Sequence, residues 1–175
     1  IGVIYIVRDP RNIVTSLKNH FGLSDDEAAL RFLFDEDLTI GLDENKVPQL
    51  LSSWKNHYNS WKKFPKNNFL IKYEDLLFDT KNQILRLINY VNNFTKVSIS
   101  DNDLEKIIAN SSFENLKRLE TEGMFDENST NKNDGGTNFF FNMGEKNDWK
   151  RLLDKKSRLL IEEKFRHEMI ELGYL

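Results

Sequence analysis

Apolar residues fall into two short unbroken runs, with stretches of helical spacing between and after them. Residues 1–7, Ile-Gly-Val-Ile-Tyr-Ile-Val, form the first run. Its length and β-branched content predict a strand buried on both faces, as inside a parallel sheet. Arg8 ends the run; Asp9 suits an N-cap and Pro10 the first helical position, so a helix is predicted over 10–20, closed by Gly22. Ser24 and Glu27 form a capping box for a second helix to about residue 34. Pro48 opens a third, in which Leu50, Leu51, Trp54, Tyr58 and Trp61 share one apolar face before Pro65 stops it. Residues 68–72, centred on Phe69-Leu70-Ile71, form the second buried run. Asp79 then caps a helix with Ile84, Leu87, Ile88 and Val91 inward. Ser100 caps another over 101–109, and Ser111-Ser112-Phe113-Glu114 begins one that reaches about residue 120. Periodicity vanishes from 121 to 138, where the polar stretch 126–136 reads either as a surface loop or as a lid anchored by Phe139-Phe140-Phe141. The last helix is predicted over 154–172, with Leu159, Leu160, Phe165 and Met169 inward. There is no internal repeat and no domain linker.

Two buried strands alternating with helices predict an α/β protein. In an open parallel sheet, the junction of strand, Arg8 and helix start lies where ligands bind. An arginine beside the N–H groups of a helix start is an anion receptor; the alternative is an Arg8 that merely pairs with a nearby carboxylate. Charge narrows this choice. The 175 residues carry a net charge of −3, which argues against nucleic acid as a partner, so an anion site has to be a local cluster of cations. With no cysteine, a disulfide framework and a thiolate zinc site are excluded. Asp35-Glu36-Asp37 reads as a solvated turn, and the scattered His20, His57 and His167 give neither a metal site nor a general base. Three Asn-x-Ser/Thr triplets, at Asn93, Asn110 and Asn128, fit chance in an Asn-rich chain. No run approaches transmembrane length or reads as a leader, so a cytoplasmic protein without a membrane segment is expected. The chain begins inside a buried-type strand, which predicts an N-terminally incomplete sequence.

The segment Tyr5-Ile6-Val7-Arg8-Asp9-Pro10, with Ser16 eight residues after the arginine, resembles the 3′-phosphate-binding segment of sulfotransferases that use 3′-phosphoadenosine 5′-phosphosulfate (PAPS). Three later segments resemble the same family in the expected order. Leu70-Ile71-Lys72-Tyr73-Glu74-Asp75-Leu76 is similar to its strand-end motif, whose tyrosine contacts the adenine. Ser111-Ser112-Phe113-Glu114 is similar to a motif that lines the adenine pocket. Residues 141–150 resemble a Phe-Arg-Lys-Gly-x-x-Gly-Asp-Trp-Lys loop, with Gly144, Asp148, Trp149 and Lys150 matching. Asn142 and Met143 replace its basic pair and Asn147 its second glycine, so part of the phosphate grip is lost, with Lys146 and Lys150 as candidates to compensate.

The resemblance implies a P-loop NTPase-like parallel sheet flanked by helices, with residues 1–175 as the C-terminal portion of a single sulfotransferase domain. It implies PAPS as cofactor, its product adenosine 3′,5′-bisphosphate (PAP) as a second ligand, and a small-molecule or glycan acceptor with a hydroxyl or amine. Arg8 and Ser16 would hold the 3′-phosphate, with Tyr73, Ser111, Phe113 and Gly144 around the nucleoside. No catalytic residue and no metal is assigned, because the family's 5′-phosphosulfate loop and base have no match, and the 175 residues alone are expected to be inactive. Two alternatives stay open: a P-loop nucleotide kinase-like protein and a non-catalytic PAP-binding remnant. The apolar first strand, at an open sheet edge, further predicts a homo-oligomer or poor solubility.

Overall fold

The computed structural model describes residues 2–23, 25–41, 47–63, 67–125, 129–130 and 137–175. Strand β1 (Val3–Val7) pairs in parallel with β4 (Asn68–Lys72), in the register Val3↔Asn68 to Val7↔Lys72. Between them lie α1 (Pro10–Phe21), α2 (Asp26–Phe34), a short antiparallel ladder of β2 (Thr39–Ile40) and β3 (Gln49–Leu50), and α3 (Trp54–Lys62). After β4 come α4 (Tyr73–Phe78), α5 (Thr80–Val91), α6 (Asp101–Asn110) and α7 (Phe113–Thr121). A second small ladder, β5 (Ser129–Thr130) with β6 (Thr137–Asn138), precedes α8 (Trp149–Leu152), α9 (Lys155–Lys164) and α10 (Arg166–Glu171).

The core lies on one face of the sheet. Tyr5 and Val7 meet Val14 of α1, Leu30 and Leu33 of α2, Trp54 and Tyr58 of α3, and Ile161, Phe165 and Met169 from the C-terminal helices. Phe165 sits at its centre, 5.1 Å from the Trp54 ring and 5.4 Å from Phe34; truncation to alanine would cost about 3–5 kcal/mol. The opposite face is covered over β4, where Tyr90 of α5 stacks on Phe69 at 5.0 Å and Ile71 is buried.

Several sequence expectations change. The first strand is not buried on both faces: Ile4 and Ile6 are 48% and 54% exposed, because among the described residues neither its outer edge nor its second face has a covering element. Pro48 does not open a helix. Gln49–Leu50 pairs instead with Thr39–Ile40, Ser52 takes a left-handed conformation (φ 61°), and the helix starts after Ser53, whose hydroxyl accepts from Asn56 N–H at 3.3 Å. Leu50 therefore faces solvent. Ser24 lies outside the described residues, and Asp25 caps α2 by accepting from Ala28 N–H at 2.7 Å. Asp79 occupies the N-cap of α5 without a side-chain cap bond. The single last helix is two, broken at Phe165; Ile161, Phe165 and Met169, spaced by four, form the inward stripe, which leaves Leu159 and Leu160 exposed. Most of the proposed lid, 126–128 and 131–136, lies outside the described residues; residues 129–130 within it pair with 137–138 as the β5–β6 ladder.

Arg11 ties the C-terminal helices to the site. Its buried guanidinium donates to both oxygens of Asp9 (2.7 and 2.9 Å), to Glu162 Oε1 (2.7 Å) and to the carbonyl of Tyr174 (2.8 Å), and lies 3.9 Å from the Trp149 ring centre. The carboxylate pairing considered for Arg8 thus falls to Arg11, and Trp149 acts as its stacking platform.

Candidate functional site

At the C-terminal ends of β1 and β4 the chain turns into α1 and α4, and these turns open a cavity of about 810 Å³ whose far wall is the α6–α7 junction and the loop at Gly144. The structure brings Arg8, Ser16, Tyr73, Ser111, Phe113 and Gly144 together around it. Their proximity could not follow from any one local pattern, since they come from four separate segments.

Arg8 is the first residue after β1. Its guanidinium lies 4.4 Å from the Tyr73 ring centre, a cation–π stack, and its buried Nε has no hydrogen-bond partner among the described residues. Burial draws its pKa below the ordinary arginine value, countered by nearby Tyr73, Glu74, Asp9 and Tyr174. Ser16 faces the same cavity from the middle of α1. Phe113 opens α7 behind its cap Ser112 and packs edge-on to Phe141 at 6.4 Å. Gly144 is required beside it on two grounds: its φ is +52°, and a β-carbon there would lie 2.9 Å from the Phe113 ring. Ser111 donates its hydroxyl to the carbonyl of Ile107 at 2.8 Å, so it can offer a ligand only lone pairs.

The charge inventory of the wall is lean. Arg8 is its one arginine or lysine among the described residues, against the carboxylates of Glu114 and Glu145. Asn142 and Met143 line the cavity without adding charge, and Lys146 and Lys150 are not in its wall. Lys150 instead lies over Trp149, 5.8 Å from its ring centre. Asn147 also has a local role: it accepts from the Thr15 hydroxyl and donates Nδ2 to the Asn12 carbonyl at 3.2 Å, while Trp149 N–H donates to Asn12 Oδ1 at 2.9 Å. These bonds strap the loop of residues 144–149 to α1.

Sequence reasoning missed two features. Asn19 and His20 join Ser16 in the wall; their spacing of three and four along α1 was the available signal. His57 is held between two aromatic side chains, Tyr5 and Trp61. Trp61 Nε1, which can only donate, reaches His57 Nε2 at 3.3 Å, so the ring is neutral with its proton on Nδ1, donating to Tyr5 Oη at 3.0 Å. Burial lowers its pKa in the same direction. It borders a second hollow of about 560 Å³ along β1, away from Arg8. Among the described residues no cluster of three or more His, Asp or Glu is arranged for a metal, and no helix is long and apolar enough to cross a membrane.

A parallel pair of strands with an arginine, a helix start and a tyrosine at their carboxyl ends is the frame of an α/β protein whose ligands bind at the strand ends. The family model described as the sulfotransferase domain matches residues 1–173, and the chain belongs to that family. The structure is similar to mouse sulfotransferase SULT7A1 complexed with PAP, with a TM-score of 0.65 and 22% identity over 96% of this chain and 58% of that one. It is also similar to retinol dehydratase in complex with retinol and PAP, with a TM-score of 0.66 and 17% identity over 96% of this chain and 47% of that one. The chain thus spans about half the length of these proteins, and at such identities the likeness is one of fold. The fold class expected from the sequence, an α/β sulfotransferase fold with a parallel sheet and flanking helices, is the one found.

Proposed function

We propose that the cavity binds the 3′-phosphoadenosine part of PAPS and PAP, and that the chain serves a PAPS-dependent sulfotransferase. One observation carries this: a half-buried arginine at the strand ends, its buried Nε without a partner among the described residues, opening on a cavity that also holds Ser16. A buried charged donor left unpaired is expensive, and an anionic ligand would relieve it. The rest of the wall fits a nucleoside. Tyr73 and Phe113 offer ring faces, Ser111 offers lone pairs to an exocyclic amine, and Gly144 keeps the Phe113 ring in place. Both similar structures are complexes with PAP, which supports the same ligand here. Arg8 and Ser16 would hold the 3′-phosphate, the group that separates PAPS from ATP. When bound, PAPS supplies the sulfuryl group for a hydroxyl or amine of a small-molecule or glycan acceptor. No residue of the chain is assigned as the base.

The lean charge of the wall favours a second reading, a PAP-binding protein that transfers nothing. Calorimetry with PAP, adenosine 5′-monophosphate (AMP) and ATP tests the ligand: the proposal expects PAP tightest, and equal affinity for PAP and AMP would end it. Turnover of PAPS with a panel of phenols and amines then separates enzyme from binder. The open edge of β1, with Ile4 and Ile6 exposed, supports association between copies, which light scattering tests. A cytoplasmic location belongs to the same proposal, checked by cell fractionation.

A further inference from the structure

We propose that Glu74 and Tyr174 are positioning residues that lock Arg8 and Tyr73 into one anion-binding unit, an inference that rests on the nucleotide reading above. Arg8 and Tyr73 follow different strands, and the β1–β4 ladder stops one pair short of them, at Val7↔Lys72. Continued by two pairs, that register would set residue 8 against 73 and residue 9 against 74. Backbone pairing cannot continue, because the chain turns into α4 at Tyr73. The Asp9 N–H then has no strand carbonyl, and Glu74 Oε1 takes its place, accepting at 3.0 Å. A side-chain carboxylate therefore supplies the rung that the backbone has lost. The Arg8–Tyr73 stack is held between a backbone-bonded pair on one side and a side-chain-bonded pair on the other.

The second oxygen of Glu74 is also used. Tyr174 donates its hydroxyl to Glu74 Oε2 at 2.9 Å. The Tyr174 carbonyl accepts from Arg11 Nη2 at 2.8 Å, and Lys72 Nζ lies 5.6 Å from the Tyr174 ring centre while donating to the Leu172 carbonyl at 3.2 Å. Tyr174 is thus fastened to the α1 side of the junction through Arg11 and to the β4–α4 side through Glu74 and Lys72. Both carboxylate oxygens are engaged, and among the described residues Glu74 forms no ion pair with Arg8, which stays open to a ligand anion. Burial and Glu74 raise the pKa of Tyr174, keeping its hydroxyl a donor at neutral pH.

The test is calorimetric titration of the protein with PAP and with AMP, in wild type, Tyr174→Phe, Glu74→Gln and Glu74→Ala, alongside thermal melts. Tyr174→Phe removes only a hydroxyl and is expected to weaken PAP about tenfold and AMP less than twofold, the scale of one hydrogen bond to a charged group. Glu74→Ala is expected to lose at least as much. Glu74→Gln is expected to stay within about threefold of wild type for PAP, since its amide can accept from Asp9 N–H and donate to the Tyr174 oxygen. A purely structural role would instead lower the melting temperature and weaken both ligands together. Unchanged discrimination between PAP and AMP in folded Tyr174→Phe overturns the inference while leaving the nucleotide reading intact. A wild type that does not discriminate overturns both. Should Glu74→Ala fail to fold, the Tyr174→Phe and Glu74→Gln arms decide the matter.

Discussion

Replacing Arg8 with alanine separates ligand binding from folding, because the guanidinium contributes little that the folded chain itself uses. Among the described residues its Nε bonds nothing and no carboxylate pairs with it, and its guanidinium stacks on Tyr73 at 4.4 Å. Loss of that stack costs about 0.5–2 kcal/mol, and removing a half-buried, unpaired charge returns a comparable amount, so stability is expected to hold within about 1 kcal/mol. Binding behaves differently. A charged donor facing a phosphate in a partly desolvated wall is worth about 2–4 kcal/mol, or roughly 30- to 1,000-fold in affinity. Calorimetry with PAP and AMP reads the binding loss, and chemical denaturation reads the stability. The expected result is a large loss for PAP, little change for AMP, and an unshifted unfolding midpoint. A parallel loss for both ligands, or a midpoint that falls with them, would show that Arg8 supports the fold and would remove the basis of the nucleotide site.

Three further outcomes are expected. Asn142→Arg together with Met143→Lys adds two cations to a wall that has Arg8 against Glu114 and Glu145; PAP should bind tighter, with a steeper fall as salt rises, in a salt series of titrations. Gly144→Ala puts a β-carbon 2.9 Å from the Phe113 ring at φ +52°; it should destabilise the protein by about 1–3 kcal/mol in denaturation and weaken PAP and AMP equally, since the nucleoside pocket is displaced rather than the phosphate contact. Burial, with Tyr58 nearby, pushes the Tyr5 hydroxyl up to about 12 from an ordinary 10.0, and a pKa raised on folding gives stability that is full below pH 10 and lost as pH rises towards 12. Unfolding midpoints followed from pH 9 to 12 should therefore drop, and drop less steeply in Tyr5→Phe.

Much of the local structure was legible in the chain. Asp9-Pro10 and Gly22 bracket α1 because capping and left-handed termination are carried by single residues and their immediate neighbours. Ser100 with Asp103, and Ser112 ahead of Phe113, mark α6 and α7 for the same reason. The four segments around the site could be named in order, since each motif is short and contiguous. Expectations failed where a local signal competed with packing. Pro48 is a sound helix opener, yet residues 49–50 gain a ladder with 39–40, a partner no window of sequence reveals. The last helical stretch is interrupted at Phe165, yet its inward stripe runs on at a spacing of four through Ile161, Phe165 and Met169, and which stripe meets the core is decided by packing rather than by apolarity, since Leu159 and Leu160 are left outside. Only the tertiary structure decided which arginine is free. Arg8 and Arg11 lie three residues apart and look equally able to meet an anion. Asp9, Glu162 and the Tyr174 carbonyl saturate Arg11, two of them from more than 150 residues away, while Glu74, held by Asp9 N–H and Tyr174, leaves Arg8 open. Local sequence determines where a strand ends and a helix begins; which side chain is left unsatisfied there depends on partners that only folding brings within 3 Å.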